Sequence, residues 1–185
     1  MPEELDLGAE KGKLLLRKAV VADADRLCKF GAAEFTRTFG YLYVPHNLEA
    51  YLSESYTPEV FRGYIADEKS STWLAETSEG EIAGYSLAGP CTLPHDEISE
   101  ENGEIKKLYI APNFFGTGTA QALFDKVNVF LLTDERYKGK PRYLSVWSEN
   151  FRAQKFYKRN DFDFLCEYEY IVGEQRDREW IYKSK

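Results

Sequence analysis

The hydrophobic and polar positions of the chain follow two periods, and these predict strands and helices in a mixed order. Helical spacing of apolar residues predicts helices at 21–39, 119–133 and 149–160, with two more short helices in the polar and aromatic connection 40–67. Short apolar or alternating runs predict strands at residues 13–19, 71–77, 81–89, 103–111, 142–148, 163–173 and 178–183. Because consecutive strands are followed by strands interleaved with helices, the order predicts a mixed sheet with helices on both faces.

Local signals mark several boundaries of these elements. Asp23 is suited to cap the first long helix, and Pro58 after Thr57 is typical of the first helical position. Residues 1–12 are polar and acidic, and we expect them to form a flexible tail. The rest, residues 13–185, is predicted to be a single domain.

Composition narrows the classes of partner. The 185 residues are 43% hydrophobic and 15% aromatic, which is typical of a folded domain with a substantial core. The formal net charge is −7 and no basic stripe stands out, so the sequence does not favour nucleic acid or an anionic membrane surface as partner. An acidic surface slightly favours a cationic small molecule.

Cysteine and histidine usage indicates a cytoplasmic protein without a metal centre. Cys28, Cys91 and Cys166 are odd in number, widely spaced and without a CxxC motif, which argues against a disulfide framework. His46 and His95 have no partner at ligand spacing, so no metal site is expected. The first residues lack the apolar segment of a secretory signal, and no run approaches the ~18 apolar residues of a membrane span.

A glycine-rich turn lies where a strand is followed by a helix. The stretch 112–120 reads PNFFGTGTA, with Gly116 and Gly118 alternating with Thr117 and Thr119. Glycines let backbone N–H groups come close to an anion, and the start of a helix favours negative charge. The turn therefore predicts a phosphate cradle, to which the threonine hydroxyls could add donors. The alternative is a glycine-rich connection without a ligand.

This turn resembles the signature of the GNAT superfamily of acetyl-CoA-dependent N-acetyltransferases. That signature has Arg or Gln, two residues, Gly, one residue, and then Gly or Ala. Gly118 and Ala120 match it, and Gly116 fits the common Arg-Gly-x-Gly form. Phe115 stands where Arg or Gln is usual, but backbone amides and the helix N-terminus hold most of the pyrophosphate.

A second motif supports the resemblance. Family members carry a helix of the form Asn-x-x-Ala-x-x-Phe-Tyr after the next strand, and Asn150 to Tyr157 match it at four positions. Asp161 replaces the glycine that often follows, while the next residue is the usual Phe162. The resemblance covers residues 13–183. It implies the GNAT fold, a mixed α/β domain with a mostly antiparallel central sheet of about seven strands.

The resemblance also implies catalytic residues. Tyr157 falls at the family's usual general acid, and a phenol with a pKa near ~10 can protonate a departing thiolate. Glu104 falls where some members keep a catalytic glutamate, and it would need a water relay or a raised pKa to deprotonate an ammonium group. The alternatives are a packed helix tyrosine and a solvated charge at a strand end.

Binding positions follow from the same alignment of motifs. A backbone N–H near Tyr109 or Ile110 would stabilise the oxyanion, and the same strand would pair with the pantetheine arm. Glu34 and Tyr41 would hold a cationic acceptor, unless they are ordinary surface or core residues, and Asn150 would contact the cofactor or cap its own helix. The implied acetyl-CoA positions are Leu108, Tyr109, Ile110, Phe115, Gly116, Thr117, Gly118, Thr119, Ala120, Asn150 and Phe156.

The sequence thus predicts transfer of acetyl from acetyl-CoA to a primary amine within a ternary complex. The stretch 35–59 and the strand GEIKKLYI are similar to bacterial polyamine N-acetyltransferases of the sporulation-regulator type, which favours a polyamine as acceptor. Two alternatives stay open: acetylation of a protein N-terminus or lysine, and a catalytically weak module that binds acyl-CoA. Pairing through the last strands would permit a homodimer.

Overall fold

A computed structural model of the protein describes residues 2–8 and 12–185, and eight strands within these ranges form one sheet. The strands are β1 (Glu3–Asp6), β2 (Lys13–Lys18), β3 (Ser71–Glu76), β4 (Ile82–Pro90), β5 (Gly103–Ile110), β6 (Arg142–Trp147), β7 (Phe162–Val172) and β8 (Gln175–Ser184). The α-helices are α1 (Ala24–Phe39), α2 (Pro45–Ser55), α3 (Pro58–Ala66), α4 (Thr119–Thr133) and α5 (Phe151–Arg159). None of the helices among the described residues has the length and apolar character needed to cross a bilayer.

The sheet is antiparallel except at one junction. Its strand order is β1-β2-β3-β4-β5-β6-β8-β7, and only β5 and β6 run parallel. These two strands pair at Gly103 with Arg142 and at Glu104 with Tyr143, and their register ends there. The remaining residues of both strands diverge, so a gap opens in the middle of the sheet. The expected mostly antiparallel mixed sheet is confirmed, with eight strands where about seven were predicted.

Helices cover both faces, as the order of elements predicted. Tyr85 of β4 packs with residues of α1 and α3, whereas the hydroxyl of its neighbour Ser86 donates to the Leu123 carbonyl of α4 at 2.9 Å. Phe156 of α5 packs against Phe124 of α4, so these two helices share a face. We call the side of α1, α2 and α3 the acceptor face and the other side the α4 face.

A β-bulge reorients the side chains of β5 next to the gap. Leu87 pairs with Lys107 but the next residue of β4, Ala88, pairs with Ile105, so one extra residue lies in β5. Ile105 packs among the buried residues of α4. Beyond the bulge, Lys107 and Tyr109 contact Tyr56 and Tyr85 on the acceptor face. The bulge therefore brings a lysine and a tyrosine to that face.

The expectation of a flexible tail is wrong for Glu3–Asp6. These residues form β1, which pairs antiparallel with β2 in the register Leu5 with Leu14. Leu5 packs against a buried cluster that includes Leu16. A strand of four residues has too few positions for its alternation to stand out in the sequence, which explains the error. Residues 1 and 9–11 lie outside the described residues.

Candidate active site

The glycine turn forms an open cradle at the start of α4. Gly116 and Gly118 have φ values of 77° and 86°, in the left-handed region that favours glycine. Gly118 is also the residue that caps α4. A Cβ atom at either glycine would meet nothing within 4 Å, so the backbone here borders free space. This is the geometry that lets a pyrophosphate approach the main chain.

Backbone N–H groups, rather than hydroxyl groups, are the free donors of this cradle. The first helical bond runs from the Ala122 N–H to the Gly118 carbonyl, so among the described residues the N–H groups of Thr119 to Gln121 have no partner within α4. The Thr117 hydroxyl donates to the Phe114 carbonyl at 2.8 Å, and the Thr119 hydroxyl lies 2.7 Å from that of Thr117. The two hydroxyls therefore order the turn.

Two guanidinium groups stand beside Phe115, the position where the family usually has Arg or Gln. The Arg152 Cζ atom lies 3.7 Å from the centre of the Phe115 ring, and the Arg37 Cζ atom lies 5.5 Å from it. Stacking on an aromatic face holds a guanidinium in place while its N–H groups stay free to donate. Arg37 also donates to the Glu34 carboxylate, so Arg152 on α5 is the group that brings positive charge back to the turn.

The gap between β5 and β6 leads from the cradle towards the acceptor face. After Glu104, the β6 side of β5 has no strand partner, so alternate N–H and C=O groups of residues 105–110 point into the gap. Leu108 and Ile110 pack on the α4 face, whereas Tyr109 stacks on Tyr85 with ring centroids 5.8 Å apart. These unpaired groups suit an extended ligand that adds to the strand edge.

Tyr157 reaches this gap from the α4 face. Its ring is 8% exposed and packs with Phe124 and Phe162. Burial raises the pKa of the Tyr157 phenol well above its usual range, and Tyr109 and Glu179 raise it further. Because Tyr109 and Glu179 belong to the acceptor face, the Tyr157 hydroxyl lies within electrostatic reach of both sides of the sheet. A phenol that stays protonated can act as a proton donor.

Tyrosines and carboxylates line the acceptor face beyond the gap. Trp147 of β6 pairs with Glu179 of β8, which pairs in turn with Tyr168 of β7, so the three side chains share a face. Burial raises the pKa of the Glu179 carboxyl to about 7, a hydrogen bond with Ser145 lowers it, and the Asp177 charge raises it. Among the described residues, neither Asp177 nor Glu179 has a Lys or Arg ion-pair partner. Tyr43 and Tyr170 lie on the same face, and the Tyr43 hydroxyl donates a hydrogen bond to Asp177.

The two glutamates that the sequence singled out are both buried and ion-paired. The Glu104 Oε2 atom accepts from Lys106 Nζ at 2.8 Å and from the Thr92 N–H at 3.0 Å. Glu34 accepts from the Arg37 Nε atom at 2.9 Å, one turn along α1. Glu104 lies where β5 and β6 still pair, at the closed end of the gap. Their roles in catalysis and in acceptor binding stay predictions.

The other sequence-predicted residues lie at the start of α5 and within it, in the first turn of α4 and beside the end of β6. Asn150 caps α5, since its Oδ1 atom accepts from the Ala153 N–H at 3.1 Å, and its amide N–H groups stay available to a ligand. Phe156 packs edge-on against Phe124 with centroids 5.5 Å apart. Tyr41 is 72% exposed and contacts Trp147 at the open end of β6, with ring centroids 6.4 Å apart. Ala120, in the first turn of α4, packs beside the cradle.

Sequence reasoning missed Lys107, Arg152, Asp177 and Glu179. Burial lowers the pKa of Lys107 to about 8, and its Nζ atom lies 4.6 Å from the centre of the Tyr56 ring. The sequence did contain a signal for Glu179. It alternates with Asp177 and Ile181 along one strand, and the alternation predicts an apolar residue at such an inward-facing position. No comparable signal existed for Arg152, because its contact with Phe115 joins distant segments.

Comparison with known proteins decides the family. The model of the Acetyltransferase (GNAT) family matches residues 34–162. The chain belongs to this family. As a GNAT protein it is an acetyl-CoA-dependent N-acetyltransferase, and the glycine cradle and the strand gap fit the coenzyme that such enzymes use.

Relatives and solved structures agree with this GNAT assignment. An uncharacterized N-acetyltransferase of Mycobacterium bovis is 26% identical over 161 residues, which cover 87% of this chain and 96% of the relative. An uncharacterized N-acetyltransferase of Lactobacillus delbrueckii is 23% identical over 81% of this chain and 84% of the relative. The fold is similar to that of PaiA N-acetyltransferase from Thermoplasma acidophilum in complex with coenzyme A, with a TM-score of 0.71, 16% identity and coverage of 93% and 98%. It is also similar to Arabidopsis thaliana NAA60 in complex with a bisubstrate analogue, with a TM-score of 0.66, 17% identity and coverage of 92% and 96%.

Proposed function

We propose that this GNAT enzyme acetylates the primary amine of a small cationic molecule such as a polyamine. The observation that carries the proposal is the pair of carboxylates on β8. Asp177 and Glu179 lie on the acceptor face, on the strand next to β6, without a Lys or Arg partner among the described residues. Carboxylates in a partly desolvated place attract a cation more strongly than exposed ones do. The acceptor face therefore favours an ammonium group.

The shape of the acceptor face favours a small acceptor over a protein chain. The Tyr51 hydroxyl of α2 lies 2.7 Å from that of Tyr170 on β7, and Tyr43 donates a hydrogen bond to Asp177. The turn between β7 and β8 comes so close that a Cβ atom on Gly173 would lie 2.2 Å from the side chain of Asn47. Helix α2, together with Tyr43 just before it, thus covers the last hairpin, whereas a peptide would need an open groove.

The chain supplies binding, orientation and a proton donor. Acetyl-CoA brings the acetyl group as a reactive thioester. The N–H groups of the glycine turn and of the first turn of α4 would hold the pyrophosphate, with Arg152 beside it. The edge of β5 would orient the pantetheine arm, and an N–H near Tyr109 would stabilise the oxyanion. Tyr157 would protonate the sulfur, and Glu104 is the base that the sequence predicts.

A thiol-release assay with a panel of acceptors tests the acceptor class. The panel contains spermine, spermidine, lysine, an aminoglycoside and short peptides with free N-termini. We expect spermine or spermidine to give the highest kcat/KM. A preference for peptides would replace the proposal with protein acetylation. Tight acetyl-CoA binding by calorimetry without turnover of any amine would indicate a binding module.

The variant Tyr157→Phe tests the proton donor. We expect kcat to fall about 100-fold, because the thiolate would leave without a proton from the enzyme. The affinity for acetyl-CoA should change by less than about twofold, since the ring and its packing with Phe124 and Phe162 are kept. Calorimetry and initial rates measure the two quantities. Unchanged turnover in this variant would remove Tyr157 from the mechanism.

A further inference from the structure

A carboxylate lies on the acceptor face beside the end of β6, where β6 has separated from β5. Glu179 pairs with Trp147, the last residue of β6, while the β5–β6 pairing ends four residues earlier, at Tyr143. Its side chain is partly exposed, so a ligand on the acceptor face can reach it. The Tyr157 hydroxyl lies within electrostatic reach, because Glu179 contributes to the raised pKa of that phenol.

The surroundings of Glu179 favour its protonated form more than water does. Burial is the main cause that raises the pKa of Glu179 to about 7. The Asp177 charge raises this pKa as well, whereas the hydrogen bond with Ser145 lowers it. On the far side of the gap, Lys107 lies on the same sheet face. The other titratable groups that face this site come from several elements: Glu34 on α1, Tyr43 before α2, Tyr109 on β5, Tyr157 on α5, and Tyr168 and Tyr170 on β7.

We propose that Glu179 is the general base that takes a proton from the acceptor ammonium, directly or through one water molecule. This inference rests on the proposed function. Glu104 is less suited to the role, because Lys106 and Thr92 already occupy its Oε2 atom at the closed end of the gap. Glu179 has no such cation and stands at the open end.

The proton balance of the step is simple. The Glu179 carboxylate takes one proton from the ammonium, and the neutral nitrogen forms the new C–N bond with the acetyl carbon. As the C–S bond breaks, Tyr157 gives its proton to sulfur, and the phenolate recovers a proton from the nitrogen. Glu179 then releases its proton to solvent, so each turnover of a charged amine liberates one proton. An acid of pKa about 7 accepts a proton from an ammonium of pKa ~10.4 far more readily than an ordinary glutamate of pKa ~4.3.

The pH dependence of kcat/KM with spermidine tests the assignment. The native enzyme should show a limb that rises through an apparent pKa near 7, in addition to the slope from the amine. Glu179→Gln should lose this limb and lower kcat about 100-fold near pH 7.5, with acetyl-CoA affinity unchanged by calorimetry. Glu167→Gln is the matched control, because Glu167 lies on the same strand pair, exposed and on the opposite face. We expect this control to behave like the native enzyme.

Three outcomes would overturn the assignment. In the first, the Glu179→Gln variant keeps the rising limb of the pH profile near pH 7. In the second, Glu104→Gln removes this limb while Glu179→Gln does not. The limb could also disappear in Lys107→Met, since burial lowers the pKa of Lys107 to about 8. In each case the native enzyme is still active with spermidine, so the proposed function stands. If the native enzyme acetylates no amine of the panel, the proposed function fails and the base assignment fails with it.

Thermal unfolding gives a readout that does not depend on activity. A folded-state pKa above the unfolded value makes the native chain lose stability as the pH rises from about 4.5 to about 7. Glutamine cannot ionise, so Glu179→Gln should melt at a higher temperature than the native chain at about pH 8 and at the same temperature at about pH 4. Equal melting at both pH values would mean that Glu179 titrates normally, which would also overturn the proposal. Circular dichroism at about pH 8 confirms that the variant is folded.

Discussion

At the scale of single residues, two glutamates on the same face of the sheet differ in what surrounds them. Glu104 is paired with Lys106 at 2.8 Å, so a cation already contacts its carboxylate. Among the described residues, Glu179 has the Ser145 hydroxyl and the Asp177 carboxylate as polar neighbours and no Lys or Arg ion-pair partner, and burial raises its pKa to about 7. A glutamate that a cation contacts and a glutamate without one are thus suited to different tasks, because the neighbouring charges differ.

Arg152 gives a residue-scale prediction about the departure from the signature at Phe115. If its guanidinium replaces the usual Arg or Gln, Arg152→Ala should weaken acetyl-CoA binding about 10-fold at low salt. The loss should shrink as salt is added, because the group is exposed and its charge is screened. Calorimetric titration with acetyl-CoA at two salt concentrations measures the effect.

Arg159, at the opposite end of α5, supplies the control for this prediction. It is also an exposed arginine, but it belongs to the last turn of the helix. Arg159→Ala should leave acetyl-CoA binding unchanged, although the helix loses a favourable charge at its C-terminus. Equal effects of both substitutions would mean that Arg152 acts only through general charge.

At the scale of elements, Gly31 determines how closely α1 approaches the sheet. A Cβ atom there would lie 2.8 Å from the Tyr85 hydroxyl and 2.9 Å from the Tyr56 ring, and both rings are buried. Gly31→Ala gains about 1 kcal/mol of helix propensity but has to displace these rings, which costs about 1–3 kcal/mol. We expect net destabilisation, measured as a lower free energy of unfolding in urea.

Gly63 in α3 separates the contribution of helix propensity from the cost of displacing packed rings. A Cβ atom at this position would meet nothing within 4 Å, so only helix propensity changes. Gly63→Ala should therefore stabilise the protein by about 0.5–1 kcal/mol. If both alanine variants were stabilised equally, close packing of α1 against Tyr85 would not limit this position.

Elements that depend on local signals could be predicted from the sequence, and those that depend on distant contacts could not. The helix Thr119–Thr133 begins and ends as predicted, and Thr57 caps α3 by accepting from the Val60 N–H at 3.2 Å. Asp23, in contrast, accepts hydrogen bonds from Arg17 and does not cap α1 through its side chain. The environment of Glu179 depends on the pairing of β6, β8 and β7, which periodicity within one strand does not specify.

At the scale of the whole molecule, the sheet consists of two halves joined at a short seam. Strands β1 to β5 form one half and β6, β8 and β7 the other, and two residue pairs connect them along the β5–β6 register. The proton donor belongs to a helix of the second half, while the cradle begins α4 after the last strand of the first. A ligand that fills the gap would therefore touch both halves at once.

Hydrogen exchange should detect this connection. Acetyl-CoA at about 100 times its Kd opposes opening of the gap. Amide exchange that depends on this opening, in residues 105–110 and 144–147, should therefore become slower by up to about 100-fold. Amides of β1, at the far edge of the sheet, should change little if they exchange by local fraying. Equal slowing along the whole chain would indicate general stabilisation without a ligand in the gap.

Two glycines give this experiment a matched pair of variants. Gly118→Ala places a methyl group in the cradle, so it should abolish the added protection at the same acetyl-CoA concentration. Gly139→Ala introduces the same kind of backbone strain, because Gly139 has a φ of 74° and free space around it, but it lies outside the cradle. Gly139→Ala should therefore keep the protection. If both variants lost it, backbone strain alone would explain the result, and the assignment of the cradle as the phosphate site would fall.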